Sequence, residues 1–419
     1  MPQVPLILDA SLVDVLDAVR LTGAGSRQEI VLRTGLGRNV VAQRVGELIT
    51  AGLLTEVGLG RSTGGRPPRQ LHFRAEAGHL LVGFIGATSL DVAVVDAQGG
   101  ISARLSEPID IADGPEIVLG RLEVLFDEVR RDGHSSGVLW GVGIALPGPV
   151  EFATGRPVAP PIMPGWDYYP VRERISRRLG VPVWVDNDVN LLALGEWRHG
   201  VAIGHRNVIF VKIGTGIGAG LISDGQLHRG TQGSAGDVGH VQVTDDPSIV
   251  CRCGNTGCLE AIASGAALAR DAERAAREGR SPWLSGALDR RATLTARDLT
   301  DGAAHGDPAS IELLQRCGQS VGLMLAAMVN FFNPSLIVVG GGVADAGDLL
   351  LASVRQVVYG RSLPLATRTL DLRRSSLGDD AGVLGVATMV IEELFSSAIL
   401  PLWIGRGPAV LLEPMAAHG

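Results

Sequence analysis

The sequence predicts an α/β protein of two related lobes, preceded by a winged helix-turn-helix head. Three observations carry this. The first 76 residues hold three helical periods and then a Gly- and Arg-rich hairpin; a strand, Gly/Thr turn, strand plan occurs twice, from Leu80 and from Val208; and an apolar strand over 181–185 runs directly into Asp186-Asn187-Asp188. With 419 residues, 46% hydrophobic and 19% charged, the chain has core enough for two to four domains.

In the head, Leu12, Val15, Leu16 and Val19 recur at helical spacing, and Ser26 can cap a second helix with Glu29 at the capping-box position. After Thr34-Gly35-Leu36 comes a third helix, with Val41, Val45 and Leu48 on one apolar stripe and Asn39 and Gln43 facing away. Gly52 ends it, and residues 53–73 read as two strands around a hairpin rich in Gly, Arg and Pro. Between Arg20 and Arg74 nine arginines face three acids, Glu29, Glu47 and Glu56. That surplus of six positive charges sits in a chain of net charge −7 and leaves −13 on the remainder. A basic head on an acidic body suggests a polyanion partner at one end.

In a module of this shape the third helix enters the major groove of double-stranded DNA. Arg38, Asn39 and Gln43 are the candidate base readers, Arg44 a candidate phosphate contact, and Arg61 and Arg66 in the wing can reach the minor groove or its phosphates. A helical dimerisation domain with ordinary solvated arginines is disfavoured, because helix order, turn, wing and charge agree. Lys212 is the only lysine, and with the high Gly content this reads as a composition bias without functional meaning.

In the body, LLVGFIGATSLDVAVVDAQGGISARL reads as two or three adjacent strands with a tight turn at Gly86-Ala87-Thr88, and the segment from Val208 repeats the plan. Such turns present backbone N–H groups to a phosphate because no Cβ blocks the approach. If a nucleotide binds, Gly86, Thr88, Gly214, Thr215, Gly216 and Gly218 are the turn residues, although a Gly-rich turn alone is a weak signal. The strand VPVWV delivers Asp186, Asn187 and Asp188 at its carboxyl end, where α/β sheets place ligand-binding groups. Alone, the trio reads as a helix cap; a second polar cluster, Asp237, His240 and Glu260, favours a site. NPSLIVVGGG runs from a buried strand into Gly340-Gly341-Gly342, a shape suited to an adenosine or to helix–strand packing.

Cys251-x-Cys253-x4-Cys258 can turn three sulfurs inward through Gly254 and Gly257, and His240 can supply a fourth ligand. A Cys3His set is the closed arrangement of structural zinc. Free thiols or a cysteine pair are the plainer readings; clustered cysteines in a reducing compartment favour metal. No signal peptide opens the chain, and no apolar run approaches the ~18 residues of a membrane span. A cytoplasmic protein without a membrane partner is therefore expected. Cys317 reads as a small buried hydrophobe in a helix.

Taken in order behind the winged helix, GVGIALPGPVE, VDNDVN, IGTGIGAG, GSAGDVGH, CRCGNTGCLE and NPSLIVVGGG resemble the ROK group of sugar kinases and sugar-responsive repressors. The resemblance implies an actin-like, ribonuclease H-like ATPase fold, α/β lobes closing on a sugar. It implies sugar contacts from Asn187, Asp188, Asp237, His240 and Glu260, a catalytic base at Asp188, and zinc on His240, Cys251, Cys253 and Cys258. Two departures stand out. Phe84 takes the place of the Asp in the family's D-x-G-x-T turn, and an aromatic cannot organise magnesium around ATP, so ATP with magnesium is not an expected cofactor. Asp237 stands where the family has Glu in G-E-x-G-H. The expectation is a sugar-responsive DNA-binding regulator, a repressor, acting as a homodimer or homotetramer; the competing class is a sugar kinase with a DNA-binding head. Expected boundaries are 1–76 for the head, 77–195 and 196–395 for the lobes, and 396–419 for a tail that fits no motif.

Overall fold

A computed structural model describes residues 10–59, 69–133 and 137–412. The head folds as α1 (Ala10–Arg20), α2 (Arg27–Thr34) and α3 (Arg38–Thr50), followed by the antiparallel strands β1 (Leu54–Leu59) and β2 (Arg69–Phe73). The first and third helices bury the stripes their spacing predicts, Leu12, Val15, Leu16 and Val19, and Val41, Val45 and Leu48, while the second buries Ile30. Ser26 Oγ accepts from Glu29 N at 3.2 Å, but the Glu29 carboxylate accepts from Gly25 N at 2.7 Å. The reciprocal bond of the box thus falls one residue earlier than expected. The wing tip, with Arg61 and Arg66, lies outside the described residues.

The first lobe contains β3 (Gly78–Ile85), β4 (Ser89–Asp96), β5 (Ile101–Pro108), α4 (Pro115–Asp132), β6 (Val138–Leu146), the short pair β7 (Val150–Glu151) and β8 (Arg156–Pro157), α5 (Val171–Leu179), β9 (Val183–Asn187) and α6 (Asp188–His199). Its sheet runs β5-β4-β3-β6-β9, antiparallel through β3 and parallel beyond it. The second lobe contains β10 (Val208–Ile213), β11 (Ile217–Ser223), β12 (Gln226–Leu227), α7 (Leu259–Ala263), α8 (Gly265–Arg277), α9 (Pro282–Arg291), α10 (Ala296–Ala304), α11 (Pro308–Phe332), β13 (Leu336–Gly340), α12 (Asp348–Arg361), α13 (Pro364–Thr367), β14 (Asp371–Arg374) and α14 (Asp380–Leu394). Its order, β12-β11-β10-β13-β14, repeats the first: three antiparallel strands, then two parallel ones. The largely apolar, largely buried runs of β6, β10 and β13 follow from this plan, because parallel strands between helix layers are buried on both faces.

Two helices bridge the lobes. α6 packs on β10 and β11 of the second sheet, α14 packs on β3 and β6 of the first, and the two pack on each other. Their crossing needs small residues: a Cβ on Gly385 would overlap Leu191 O, and one on Gly195 would overlap Ala381 O. The first residue of α6, Asp188, is thereby held between the sheets.

The tail had no expected role, yet it is part of the core. After α14, α15 (Leu400–Trp403) buries Leu400 and Trp403, and Leu411 follows. Phe395 meets Phe73 of β2 edge-on at 6.0 Å, meets Trp140 of β6 at 5.9 Å and stacks on Trp403 at 6.1 Å. Arg20 of α1 lies 5.3 Å from the Phe395 ring centroid. Head, first lobe and tail consequently share one hydrophobic core. Among the described residues, no helix is long and apolar enough to cross a membrane.

Candidate functional site

A cleft of about 840 Å³ opens between the lobes. Gly86, Thr88, Asn187, Asp188, Gly214, Thr215, Gly216, Gly218, Asp237, His240 and Glu260 all stand on its wall, and so do Phe84 and Lys212. The β9–α6 junction forms the floor. Asn187 is the N-cap of α6, its Oδ1 accepting from Val189 N at 2.9 Å and Asn190 N at 3.3 Å. Its Nδ2 donates to Gly148 O at 2.8 Å, so cap and cleft wall are one residue. Asp186 is buried and accepts from Arg229 Nε at 2.7 Å, Asn190 Nδ2 at 3.0 Å and Asn187 N at 2.7 Å.

Asp188 opens α6, where the helix dipole favours a carboxylate. Its partner is Lys212 Nζ, from β10 of the other lobe. Sequence reasoning missed this lysine. The usable signal was its isolation among arginines two residues before Gly214. Arg252, Arg297 and Arg374, exposed on the cleft rim, were also not anticipated.

From the second lobe, Glu260 Oε2 accepts from Ile217 N at 3.0 Å. Gly216 makes that approach possible, since a Cβ there would come 2.5 Å from the same oxygen. Asp237 is exposed to the cleft, with Oδ1 3.9 Å from His240 Nε2. At the opposite wall Phe84 lies on Gly382, where any Cβ would overlap the ring. The neighbouring cleft carboxylate, Asp91, is held by Arg104 at 2.7 Å, and Arg104 also reaches Asp380 at 2.7 Å.

His240, Cys251, Cys253 and Cys258 form a group whose ligand atoms lie within 4.8 Å of one another. Cys253 Sγ and Cys258 Sγ are 3.8 Å apart, and Cys251 Sγ is 3.6 Å from His240 Nδ1. A tetrahedron with bonds of ~2.3 Å to sulfur and ~2.0–2.1 Å to nitrogen has edges of about 3.8 Å and 3.6 Å, so the four residues fit a metal ion. Gly254 and Gly257 supply the left-handed turns, at φ +92° and +72°. Burial, then the adjoining Cys253 and Cys251, push the Cys258 thiol up to about 12; a cation is what would let three thiolates share this space. With Nδ1 toward the sulfurs, His240 keeps Nε2 facing Asp237 and the cleft. Cys317, far from this loop, is buried in α11 and donates to Ala263 O at 3.2 Å.

On the head, Arg38, Asn39 and Gln43 share the exposed face of α3, with Gln43 Nε2 3.0 Å from Glu47. Arg44, expected on a phosphate, is half-buried and engaged within the head, donating to Ser11 Oγ at 2.9 Å and Glu47 Oε2 at 2.7 Å.

The ROK family model matches residues 82–393. The chain belongs to the ROK family. A glucokinase of Halalkalibacterium halodurans is 32% identical over 74% of this chain and 94% of its own. The xylose repressor of Bacillus spizizenii is 30% identical over 88% of this chain and 91% of its own. The crystal structure of a ROK family transcriptional regulator, a homolog of the E. coli MLC protein, superposes with a TM-score of 0.83 at 26% identity, covering 96% of this chain and 99% of that one.

The lengths of these matches divide the ROK chain informatively. The glucokinase match spans 311 residues and the repressor match 368, a difference of the size of a winged helix. The family model begins at residue 82, after the head.

Proposed function

We propose that this ROK chain is a sugar-responsive repressor that binds double-stranded operator DNA through its head and does not phosphorylate the sugar in its cleft. One observation carries the reading. A head with an exposed Arg38, Asn39 and Gln43 face shares its core with a body whose first glycine turn presents Phe84, so the carboxylate needed to organise magnesium and ATP phosphates is missing there. Asn187, Asp188, Asp237, His240 and Glu260 are the sugar contacts in this reading. Zinc, held by His240, Cys251, Cys253 and Cys258, supplies structural bracing to the loop that carries Asp237 and Glu260. The switch draws on the sugar's differential affinity for the DNA-competent and incompetent lobe arrangements. Phe331, Leu363 and Leu365, exposed on α11 and near α13, support self-association into a homodimer or homotetramer.

Two experiments test it. Asn39→Ala relaxes base preference at one operator position, whereas Arg38→Ala weakens specific binding by ~1–3 kcal/mol; equal losses on specific and random DNA refute the reader face. Sugars that raise the melting temperature are then tested for an effect on operator binding. The second reading, a kinase carrying a DNA-binding head, is favoured by Asp188 and the intact second glycine turn. ADP release at roughly 1–100 s⁻¹ with ATP, magnesium and the stabilising sugar, abolished in Asp188→Asn, would establish it instead.

A further inference from the structure

Lys212 is the chain's single lysine; the other 36 of its 37 Lys and Arg residues are arginine. In a chain that otherwise uses guanidinium everywhere, the one compact ammonium sits on Asp188. The Asp188 side chain is 3% exposed and that of Lys212 is 22% exposed, and both face the cleft. The lysine stem runs beside the second glycine turn, where a Cβ on Gly214 would come 3.2 Å from Lys212 Cε. One side chain therefore fills the corner bounded by Asp188 and residues 214–216.

That corner decides what part of a sugar can enter. A hydroxyl served by Asp188 has to come within ~2.6–3.2 Å of a carboxylate oxygen, and Lys212 already holds Oδ2. The part of a hexopyranose that projects furthest beyond its ring is the exocyclic hydroxymethyl arm, which needs both volume and a hydrogen-bond partner. A pentopyranose has only a hydrogen in place of that arm, and its ring hydroxyls still meet Asn187, Asp237, His240 and Glu260.

We propose that Lys212 is a specificity-determining residue: it closes the corner at Asp188, so that the cleft selects an aldopentose over the hexose that differs from it by the hydroxymethyl arm. The inference rests on the reading of the cleft as a sugar site. The test uses the full-length protein and two matched pairs, D-xylose with D-glucose and L-arabinose with D-galactose, measured by calorimetric titration and thermal shift. In the better pair the pentose binds at least about tenfold tighter, within the range one carbon unit can confer. In Lys212→Ala the ratio contracts at least about fivefold through gained hexose affinity, and Lys212→Thr replaces that variant if it does not fold. Tighter hexose binding in the unmodified protein, or an unchanged ratio in a folded variant, overturns the assignment of Lys212 and leaves the sugar site standing. No binding of any of the four sugars to the unmodified protein refutes the sugar site and this inference together.

Discussion

The β3–β4 and β10–β11 hairpins share a backbone plan and place contrasting side chains at the position two residues before the first glycine of the turn. Phe84 precedes Gly86 by two residues, and Lys212 precedes Gly214 by two. Phe84 is flanked by Asp91 on its antiparallel side and Ala145 on its parallel side; Lys212 has Gly218 and Gly340. Across the cleft the aromatic meets Gly382 and the ammonium meets Asp188. A repeated backbone plan thus supplies two equivalent cradles, and one side chain in each sets its chemistry. The first hairpin is finished by hydrocarbon packing. The second is finished by charge, by Glu260 on Ile217 N, and by the loop that gathers His240, Cys251, Cys253 and Cys258, from which Glu260 extends.

The largest effect should come from the element on which only the second hairpin depends. Cys258→Ser removes one sulfur of the proposed zinc set, and since structural zinc binding is worth ~10–16 kcal/mol in the smallest zinc domains, a loss of at least ~3–4 kcal/mol is expected here. Hydrogen exchange should show residues 240–260 and the 214–216 turn losing protection while β3–β4 keeps its own. A uniform loss over both hairpins would break the comparison. Chelation with a strong metal ligand should reproduce the same pattern.

Next in size is the charge itself. Lys212→Met leaves the Asp188 carboxylate buried without its partner, a change costing ~3–5 kcal/mol when both groups are fully buried. The partial exposure of Lys212 reduces this to about 2 kcal/mol. Urea denaturation of Lys212→Met, Asp188→Asn and the double variant should give a coupling energy above ~1 kcal/mol; additivity would mean the pair is incidental.

The first hairpin answers to packing. Gly382→Ala forces Phe84 aside and should cost ~1–3 kcal/mol by overpacking, with no dependence on salt. A salt-dependent loss would contradict a purely apolar contact. Smallest of all is Arg206→Ala, at the far end of β10. Its pair with Asp224 is 71% and 82% exposed, and the melting curve should shift by less than the equivalent of ~0.5 kcal/mol.

Local features were legible without a structure because they depend on neighbours in sequence. The head's helices came from apolar spacing, the two glycine turns from residues that lack a Cβ, and the gathering of Cys251, Cys253 and Cys258 from a spacing that a tight turn can close. The reading of Asp186-Asn187-Asp188 as a cleft group rather than a cap proved to be a false choice, since Asn187 is both a cap and a cleft residue.

Long-range partnerships were not legible. Nothing in the spacing pairs Lys212 with Asp188, 24 residues away, or Arg229 with Asp186, 43 away. Nor does it turn Arg44 inward to Ser11, 33 residues back. The tail gave no periodic signal because its large apolar side chains serve a junction instead of a repeating face; Phe395 and Trp403 make sense only once Phe73 and Trp140 stand beside them. By itself, then, the sequence determined which segments form helices, strands and turns, and which of them bring polar residues to the cleft wall, since periodicity, capping and backbone freedom act over a few residues. The tertiary structure decided which charges meet and which surfaces stay free, because those depend on where the crossing of α6 and α14 sets the two sheets, and no window of the chain contains that crossing.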